Sequence, residues 1–218
     1  NRRLTHQQVL DIGRIGLQTN ILSVNLAVTR KRLLADPWIA EATVSRQIPS
    51  GLHLQILEET PLAALEMGSG EELLINVAGE VFQRRASSEA SEWPRVRGLE
   101  HADLPVNGQP GTPAFDAVMT LLRLAGEAEC PLPLKSIRRI DIDREIGATV
   151  IAGPDDRAVR LGFGHYRRKC EALGELMGRL RNDSRLKHYR MIDLLDVNRI
   201  VVTLASAAGA DDAVDKEV

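Results

Sequence analysis

Histidine and cysteine, the side chains best suited to metal binding or nucleophilic catalysis, are few and scattered along the 218 residues. The histidines stand at His6, His53, His101, His165 and His188. No two of them are four residues apart, and no Cys-x-x-Cys pair occurs, so the ligand spacings typical of a zinc site are missing. We therefore expect no metal ion and no other cofactor.

Two further chemical motifs are incomplete. Gly162 and Gly164 lie between a predicted strand and a predicted helix, as in dinucleotide-binding loops, but Arg167 replaces the third glycine of that fingerprint. Asp141, Asp143 and Glu145 could supply the acid/base pair of a hydrolase, yet arginines flank them and no Gly-x-Ser-x-Gly element is present. We interpret the glycines as a sharp corner and the carboxylates as solvated charge, and we predict that the protein is not an enzyme.

The two cysteines, Cys130 and Cys170, leave two alternatives open. Cys130 follows a predicted helix and Cys170 lies inside another, so the sequence gives no reason for the two thiols to be close. They form a disulfide if the chain works in an oxidising compartment. Otherwise they are two separate buried thiols, which is how free cysteine usually behaves and is the interpretation favoured by the sequence.

A β-hairpin is the clearest element of the chain. Apolar and polar residues alternate over 39–46 and over 52–58, which is the period of half-buried strands. Pro49 and Gly51 between them predict a tight reversal in which glycine supplies a positive φ. Trp38, at the corner that leads into the first strand, is expected to be a core anchor, with a binding role as the less favoured alternative.

Two helices are predicted in front of the hairpin, over 5–17 and 26–35, so the order is helix, helix, strand, strand. Here the sequence resembles the POTRA domain of the bacterial cell-division family FtsQ, called DivIB in some lineages. The residues that carry the resemblance are Asn20 to Leu26, Pro37, Trp38, Ile39, Ala42, Val44, Arg46, Pro49, Leu52, Ile56, Glu58 and Pro61. Shorter matches extend it over nearly the whole chain, at Ile75 to Phe82, at Trp93 to Gly98, and at Leu161-Gly162 with Lys169.

The resemblance implies an α+β fold: a small αα-ββ POTRA domain over 1–61, a larger and mainly antiparallel β-domain with two helices over 62–205, and a disordered tail over 206–218. In the family a short strand precedes the first helix, whereas this sequence opens at Asn1, almost at the helix. We expect that strand to lie upstream, together with a single span that anchors the protein in the cytoplasmic (inner) membrane and leaves these domains on the periplasmic side. One departure is Leu195, where family members often carry arginine in an Asp-Leu-Arg motif.

The composition is that of an ordinary globular protein, with 44% hydrophobic and 27% charged residues. A net charge of −2 argues against a nucleic-acid partner, and the aromatic content of 3% leaves no stacking platform for single strands. No run of about 18 apolar residues occurs that could span a membrane.

The last predicted strand is the candidate partner-binding site. It consists of Arg199, Ile200, Val201, Val202, Thr203 and Leu204. No later element is predicted to cover it, so at a sheet edge its backbone groups would be free to pair with a strand from another chain. The resemblance implies that partner, because FtsQ-like proteins bind FtsB of an FtsB–FtsL complex at this edge.

The function implied by the resemblance is a non-enzymatic scaffold of the bacterial divisome, which recruits and holds septal membrane proteins. The alternative is a POTRA-bearing chaperone module for outer-membrane protein assembly or secretion. That class normally repeats the POTRA unit and ends in a barrel, whereas this sequence shows one unit, no internal repeat and no series of barrel strands. An enzyme without a recognisable motif is the least favoured hypothesis.

Overall fold

The computed structural model describes residues 3–16, 20–49, 51–68, 70–87, 92–105, 110–182 and 189–204. The chain divides into two compact units, Asn1–Ser91 and Glu92–Val218. The α+β fold class is confirmed, because helices and strands occur in both units. The predicted domain boundary after residue 61 stays a prediction, and the predicted tail lies outside the described residues.

The first unit opens with the predicted helix–helix–strand–strand module. Its elements are α1 (His6–Gly13), α2 (Leu26–Leu33), β1 (Ile39–Gln47) and β2 (Gly51–Glu58), and the two strands pair antiparallel. The predicted N-cap Thr5 is confirmed, since its side chain and that of Gln8 complete a capping box. The expected positive φ at Gly51 is wrong: Gly51 already belongs to β2, and the reversal before it contains a cis Ile48–Pro49 peptide.

The apolar faces of these four elements meet in a small core. Its buried centre is Leu33 of α2 with Ile39 and Ala42 of β1, packed against partly buried side chains of α1, β1 and β2. Arg46 adds a polar link, because its guanidinium donates to the carbonyl oxygen of Val24 at 2.7 Å and also reaches those of Ile21 and Leu22. The loop that leads into α2 is therefore held on β1.

An antiparallel meander follows, composed of β3 (Pro61–Met67), β4 (Glu71–Asn76) and β5 (Val81–Ala86). Asn76, which is buried, organises the turn after β4: its Oδ1 accepts the backbone N–H groups of Ala78 and Glu80, each at 3.0 Å. Gly79 supplies the positive φ of 87° in the same turn. The Asn76 amide also donates to Glu59 at 3.2 Å, so the turn is tied to the exit of β2.

Trp38 joins three segments of the first unit. It is half-buried and not in the core as predicted. Its indole lies edge-on to Phe82 with 5.3 Å between ring centroids. The guanidinium of Arg3 stands 4.0 Å from the Trp38 ring, within cation–π range. The Arg3 backbone N–H also donates to the Glu58 carboxylate at 2.7 Å. These contacts link the start of the chain, the corner before β1, and β5.

The second unit is a sheet with two helices. In chain order its described elements are β6 (Arg95–Arg97), α3 (Pro113–Ala125), β7 (Ile137–Asp143), β8 (Gly147–Ala152), β9 (Arg157–Gly162), α4 (Tyr166–Asn182), β10 (Tyr189–Asp196) and β11 (Arg199–Leu204). Its strands lie side by side in the order β6-β7-β8-β9-β10-β11. The pairs β6–β7 and β9–β10 are parallel and the other pairs are antiparallel. Because parallel neighbours need a crossover connection, α3 and α4 occupy those two connections.

The core of this unit lies between its helices and the sheet. Val118 and Leu122 of α3 and Leu173 of α4 are completely buried, as are the inward-facing side chains of the strands, among them Ile140, Val150, Leu161, Ile192 and Leu194. None of the described helices combines the length and the apolar character that crossing a membrane requires.

Replacing Asn76 with alanine should lower the free energy of unfolding of the first unit by about 1–3 kcal/mol, because two partly buried N–H groups lose their acceptor. The measurement is urea unfolding followed by Trp38 fluorescence in a Trp93→Phe background. Val77→Ala is the matched control, since the neighbouring Val77 side chain is 61% exposed. Equal stabilities of the two variants would contradict the organising role of Asn76.

Candidate partner-docking site

β11 is an edge strand. In the part of the chain that the structure describes, its one strand neighbour is β10, with Val202 opposite Ile192 and Val201 opposite Asp193. Backbone groups on the other side of β11 therefore have no strand to pair with among these residues. The position at an edge agrees with the sequence-based expectation, while the partner-binding role of β11 stays a prediction.

The two faces of β11 differ in exposure. Ile200 and Val202 are half-buried and point to the side on which α4 lies, whereas Val201 is 46% exposed on the opposite face. The remaining members of the predicted site, Arg199, Thr203 and Leu204, are also exposed. All six predicted residues thus lie together on one strand with its side chains alternating, as strand geometry requires.

Polar contacts fix the hairpin that carries β11. At its turn, the backbone N–H of Asn198 donates to the Asp196 carboxylate at 2.9 Å, which is an Asx-type turn. In β10, Asp193 accepts the guanidinium of Arg160 from β9 at 3.2 Å. The strand that supports β11 is therefore linked by side chains as well as by its backbone to the strand behind it.

A groove runs between α4 and the β10–β11 hairpin. It has a volume of about 360 Å³ and is lined by Arg168, Glu171, Ala172, Glu175, Leu176, Arg179, Val197, Asn198 and Ile200. Charges of both signs stand on its helical wall, while the β11 wall is the apolar Ile200 side chain. Sequence reasoning missed this groove, because the helical period of α4 predicts which face is apolar but not which strand its charged face lies beside.

Lys169 fastens the start of α4 to the end of β9. Its side chain is 3% exposed, and its ammonium donates to the carbonyl oxygens of Leu161 at 2.5 Å and Phe163 at 3.2 Å. Burial lowers the pKa of Lys169, and the charge of Asp193 acts in the opposite direction. Between the two carbonyls Gly162 has a φ of 63°, so the interpretation of this glycine as a sharp strand-to-helix corner is confirmed.

Cys130 and Cys170 are both free thiols, as the favoured interpretation has it, but they lie beside the same cavity, so the expectation that the two are far apart is wrong. The Cys130 thiol donates to the carbonyl oxygen of Leu132 at 3.4 Å, and Cys170 lies near enough to lower the pKa of Cys130. Both line a cavity of about 310 Å³ between the segment after α3 and the first half of α4. The sequence holds no signal for this contact, because it depends on how two helices 40 residues apart pack.

The acidic residues singled out in the sequence have structural roles. Asp141 pairs with Arg139 at 2.8 Å. Asp143 accepts the backbone N–H groups of Ile146 and Glu145, each at 2.8 Å, and these hydrogen bonds hold the pKa of Asp143 below its usual value. Within the described ranges, no three His, Cys, Asp or Glu side chains converge in a way that would hold a metal ion.

This chain is similar to known proteins both over residues 1–59 and over nearly its whole length. Residues 1–59 match the family model described as the POTRA domain, FtsQ-type. The chain is 25% identical over 202 residues to the cell division protein FtsQ of Geotalea daltonii, covering 92% of this chain and 71% of that protein. It is 26% identical over 208 residues to FtsQ of Syntrophotalea carbinolica, covering 94% and 71%. It is also 22% identical over 116 residues to the cell division protein DivIB of Clostridium tetani, covering 53% and 42%.

The helix–helix–strand–strand module, followed by strands with two crossover helices, defines an α+β protein whose residues 1–59 match an FtsQ-type POTRA domain. Since the similarity to named cell division proteins covers more than nine-tenths of the sequence, the chain belongs to the FtsQ/DivIB family of cell division proteins.

Replacing Lys169 with methionine should lower the free energy of unfolding of the second unit by about 1–3 kcal/mol, because two carbonyl groups at the end of β9 lose their donor. Thermal unfolding measures the effect, and the melting temperature should fall by several degrees. Arg168→Met, at the neighbouring exposed position, is the control and should change it little. Indistinguishable melting temperatures for the two variants would show that the Lys169 contacts do not fasten α4.

Proposed function

We propose that this cell division protein is a non-enzymatic scaffold of the divisome, to which a partner binds by adding a β-strand to β11. The observation that carries the proposal is the side of β11 that faces no strand in the described structure. The partner is an FtsB–FtsL-like complex. The proposal includes an anchor in the cytoplasmic membrane, with both units on the extracytoplasmic side and residues 1–61 acting as a separate POTRA docking module.

Strand addition suits β11 for reasons of backbone chemistry. N–H and C=O groups along a strand edge are strong hydrogen-bonding groups, and each bond to a partner contributes about 0.5–1.5 kcal/mol net. A strand of six residues offers a short row of such groups. The affinity then comes from several backbone bonds together, and Ile200, Val201 and Val202 favour the extended conformation that these bonds need.

Side chains next to β11 supply the specificity. An added strand would place alternate side chains on the two faces of the sheet. Those on one face would lie at the groove, near Ile200 and the charged side chains of α4 such as Arg168 and Glu175. Those on the other face would lie beside Val201, which is 46% exposed. We therefore expect a partner segment with charged residues on its groove side and apolar residues opposite.

The proposal is tested by titrating the chain with a purified FtsB–FtsL ectodomain complex. Proline at Val201 and proline at Val202 each remove one backbone N–H, and neighbouring N–H groups on a strand point to opposite sides. One of the two variants should therefore lose at least about tenfold in affinity while its melting temperature stays near that of the wild type. The other removes an N–H directed toward β10 and should instead destabilise the hairpin.

Val81→Pro is the matched control for these variants. Val81 is the first residue of β5, where proline is best tolerated in a strand, and it lies in the other unit. This variant should bind the ectodomain complex as the wild type does. If both β11 variants also bind with unchanged affinity and remain folded, docking by strand addition at this edge is wrong.

A further inference from the structure

We propose that Cys130 and Cys170 form an intrachain disulfide that ties the segment after α3 to α4. The inference is independent of docking at β11, and its test uses the chain alone. It rests on the placement of the two thiols, on the contacts that hold their segments together, and on the open side of the cavity between them.

Local backbone contacts turn Cys130 toward α4. At the end of α3, Gly126 donates its N–H to the carbonyl oxygens of Leu122 and Arg123, and the Cys130 N–H then donates to the carbonyl of Glu127 at 3.2 Å. These bonds fold the segment after α3 into successive tight turns. Cys130 is consequently held in place although it lies outside a helix.

An ion pair joins this segment to α4 one turn away from the thiols. Both guanidinium NH groups of Arg167 donate to the Glu127 carboxylate, at 3.0 and 2.7 Å. The pair is exposed and contributes little free energy, but its two-pronged geometry fixes the distance between the segments. Arg167 and Cys170 are three residues apart on α4, which places both on the same side of the helix.

The two thiols line the same cavity, and one of them is accessible. The Cys130 thiol donates to the carbonyl oxygen of Leu132 at 3.4 Å. Cys130 is half-buried and Cys170 is buried. The cavity that both line extends along α4 to Gly174, where a Cβ atom would meet no other atom within 4 Å. A disulfide reagent therefore has an open approach to Cys130 from the Gly174 side.

The electrostatics of the pair are asymmetric. The hydrogen bond from Cys170 lowers the pKa of the Cys130 thiol to about 6, against the opposing effects of burial and of Glu127. Donating that bond raises the pKa of Cys170 well above its ordinary value, and burial adds to this, while Arg167 acts in the opposite direction. Cys130 is thus the thiolate that attacks a disulfide, and Cys170 is the buried thiol that resolves the product.

The reaction is thiol–disulfide exchange with a protein or small-molecule disulfide as oxidant. The Cys130 thiolate attacks one sulfur of that disulfide and releases its other half as a thiolate, leaving a mixed disulfide on Cys130. Cys170 then loses its proton and attacks the Cys130 sulfur, which expels the second half of the oxidant. The chain loses two electrons and two protons, and the oxidant gains them as two thiols.

The bond would close a loop of about 40 residues that contains β7, β8 and β9. Restricting a loop of that length in the unfolded chain stabilises the folded one. It would also fix the first half of α4, whose Arg168 and Glu171 line the groove beside β11.

The test is to equilibrate the purified chain at pH 7 in glutathione buffer with a roughly tenfold excess of the oxidised form. We expect a monomer that has lost both free thiols and about 2 Da in mass, with Cys130 and Cys170 linked in a peptide map. Its melting temperature should exceed that of the reduced chain by about 10 °C. Two thiols left free, glutathione retained on both cysteines, or links only between chains would overturn the proposal.

Single variants test the assigned order of attack. Cys170→Ser should keep one glutathione on Cys130, whereas Cys130→Ser should leave the buried Cys170 unmodified while the chain remains folded. In the reduced wild-type chain, alkylation of Cys130 should rise through a midpoint near pH 6. Faster modification of Cys170 than of Cys130 would contradict the roles given to the two thiols.

Discussion

Backbone N–H and C=O groups need hydrogen-bond partners. Within the described structure, β11 pairs with β10 on one side and with no strand on the other. That constraint organises the end of the second unit. An edge strand can offer its free side to another chain only if the strand behind it is held firmly. β10 meets this requirement, because it pairs with β9 in parallel and its Asp193 side chain binds Arg160 of that strand.

α4 connects the features that surround this edge. Lys169 fastens its start to the end of β9, the contact between Cys130 and Cys170 joins it to the segment after α3, and Arg168 faces the groove beside β11. The charged face of the helix, which the sequence alone would assign to solvent, is therefore one wall of the proposed docking surface. The docking proposal thus assigns recognition to side chains of α4 that neighbour the ones fastening the helix, since Glu171 lines both the groove and the cavity beside the cysteines.

Local patterns in the sequence predict most of the elements, and contacts distant in sequence account for what they miss. The alternation of apolar and polar residues is sufficient to predict β1 and β2, and the capping residue Thr5 is sufficient to predict the start of α1, because each feature depends on residues close by in the sequence. β6 has only three residues, too few to show a period. The position of Trp38 depends on Phe82, and the contact of Cys130 with Cys170 depends on helix packing, so neither is encoded locally.

Gly98 shows how close approach of two strands limits what genetics can reveal about this protein. Its φ is 89°, and a Cβ atom there would overlap the carbonyl oxygen of Ile142, a backbone atom that can move only if the strand moves with it. Every coding change at this position must therefore disturb the β6–β7 pairing. If an allele of Gly98 fails to support cell division in a complementation screen, the expected cause is loss of folded protein. The amount of the protein in the cell must therefore be measured by immunoblotting before such an allele is assigned to a contact surface.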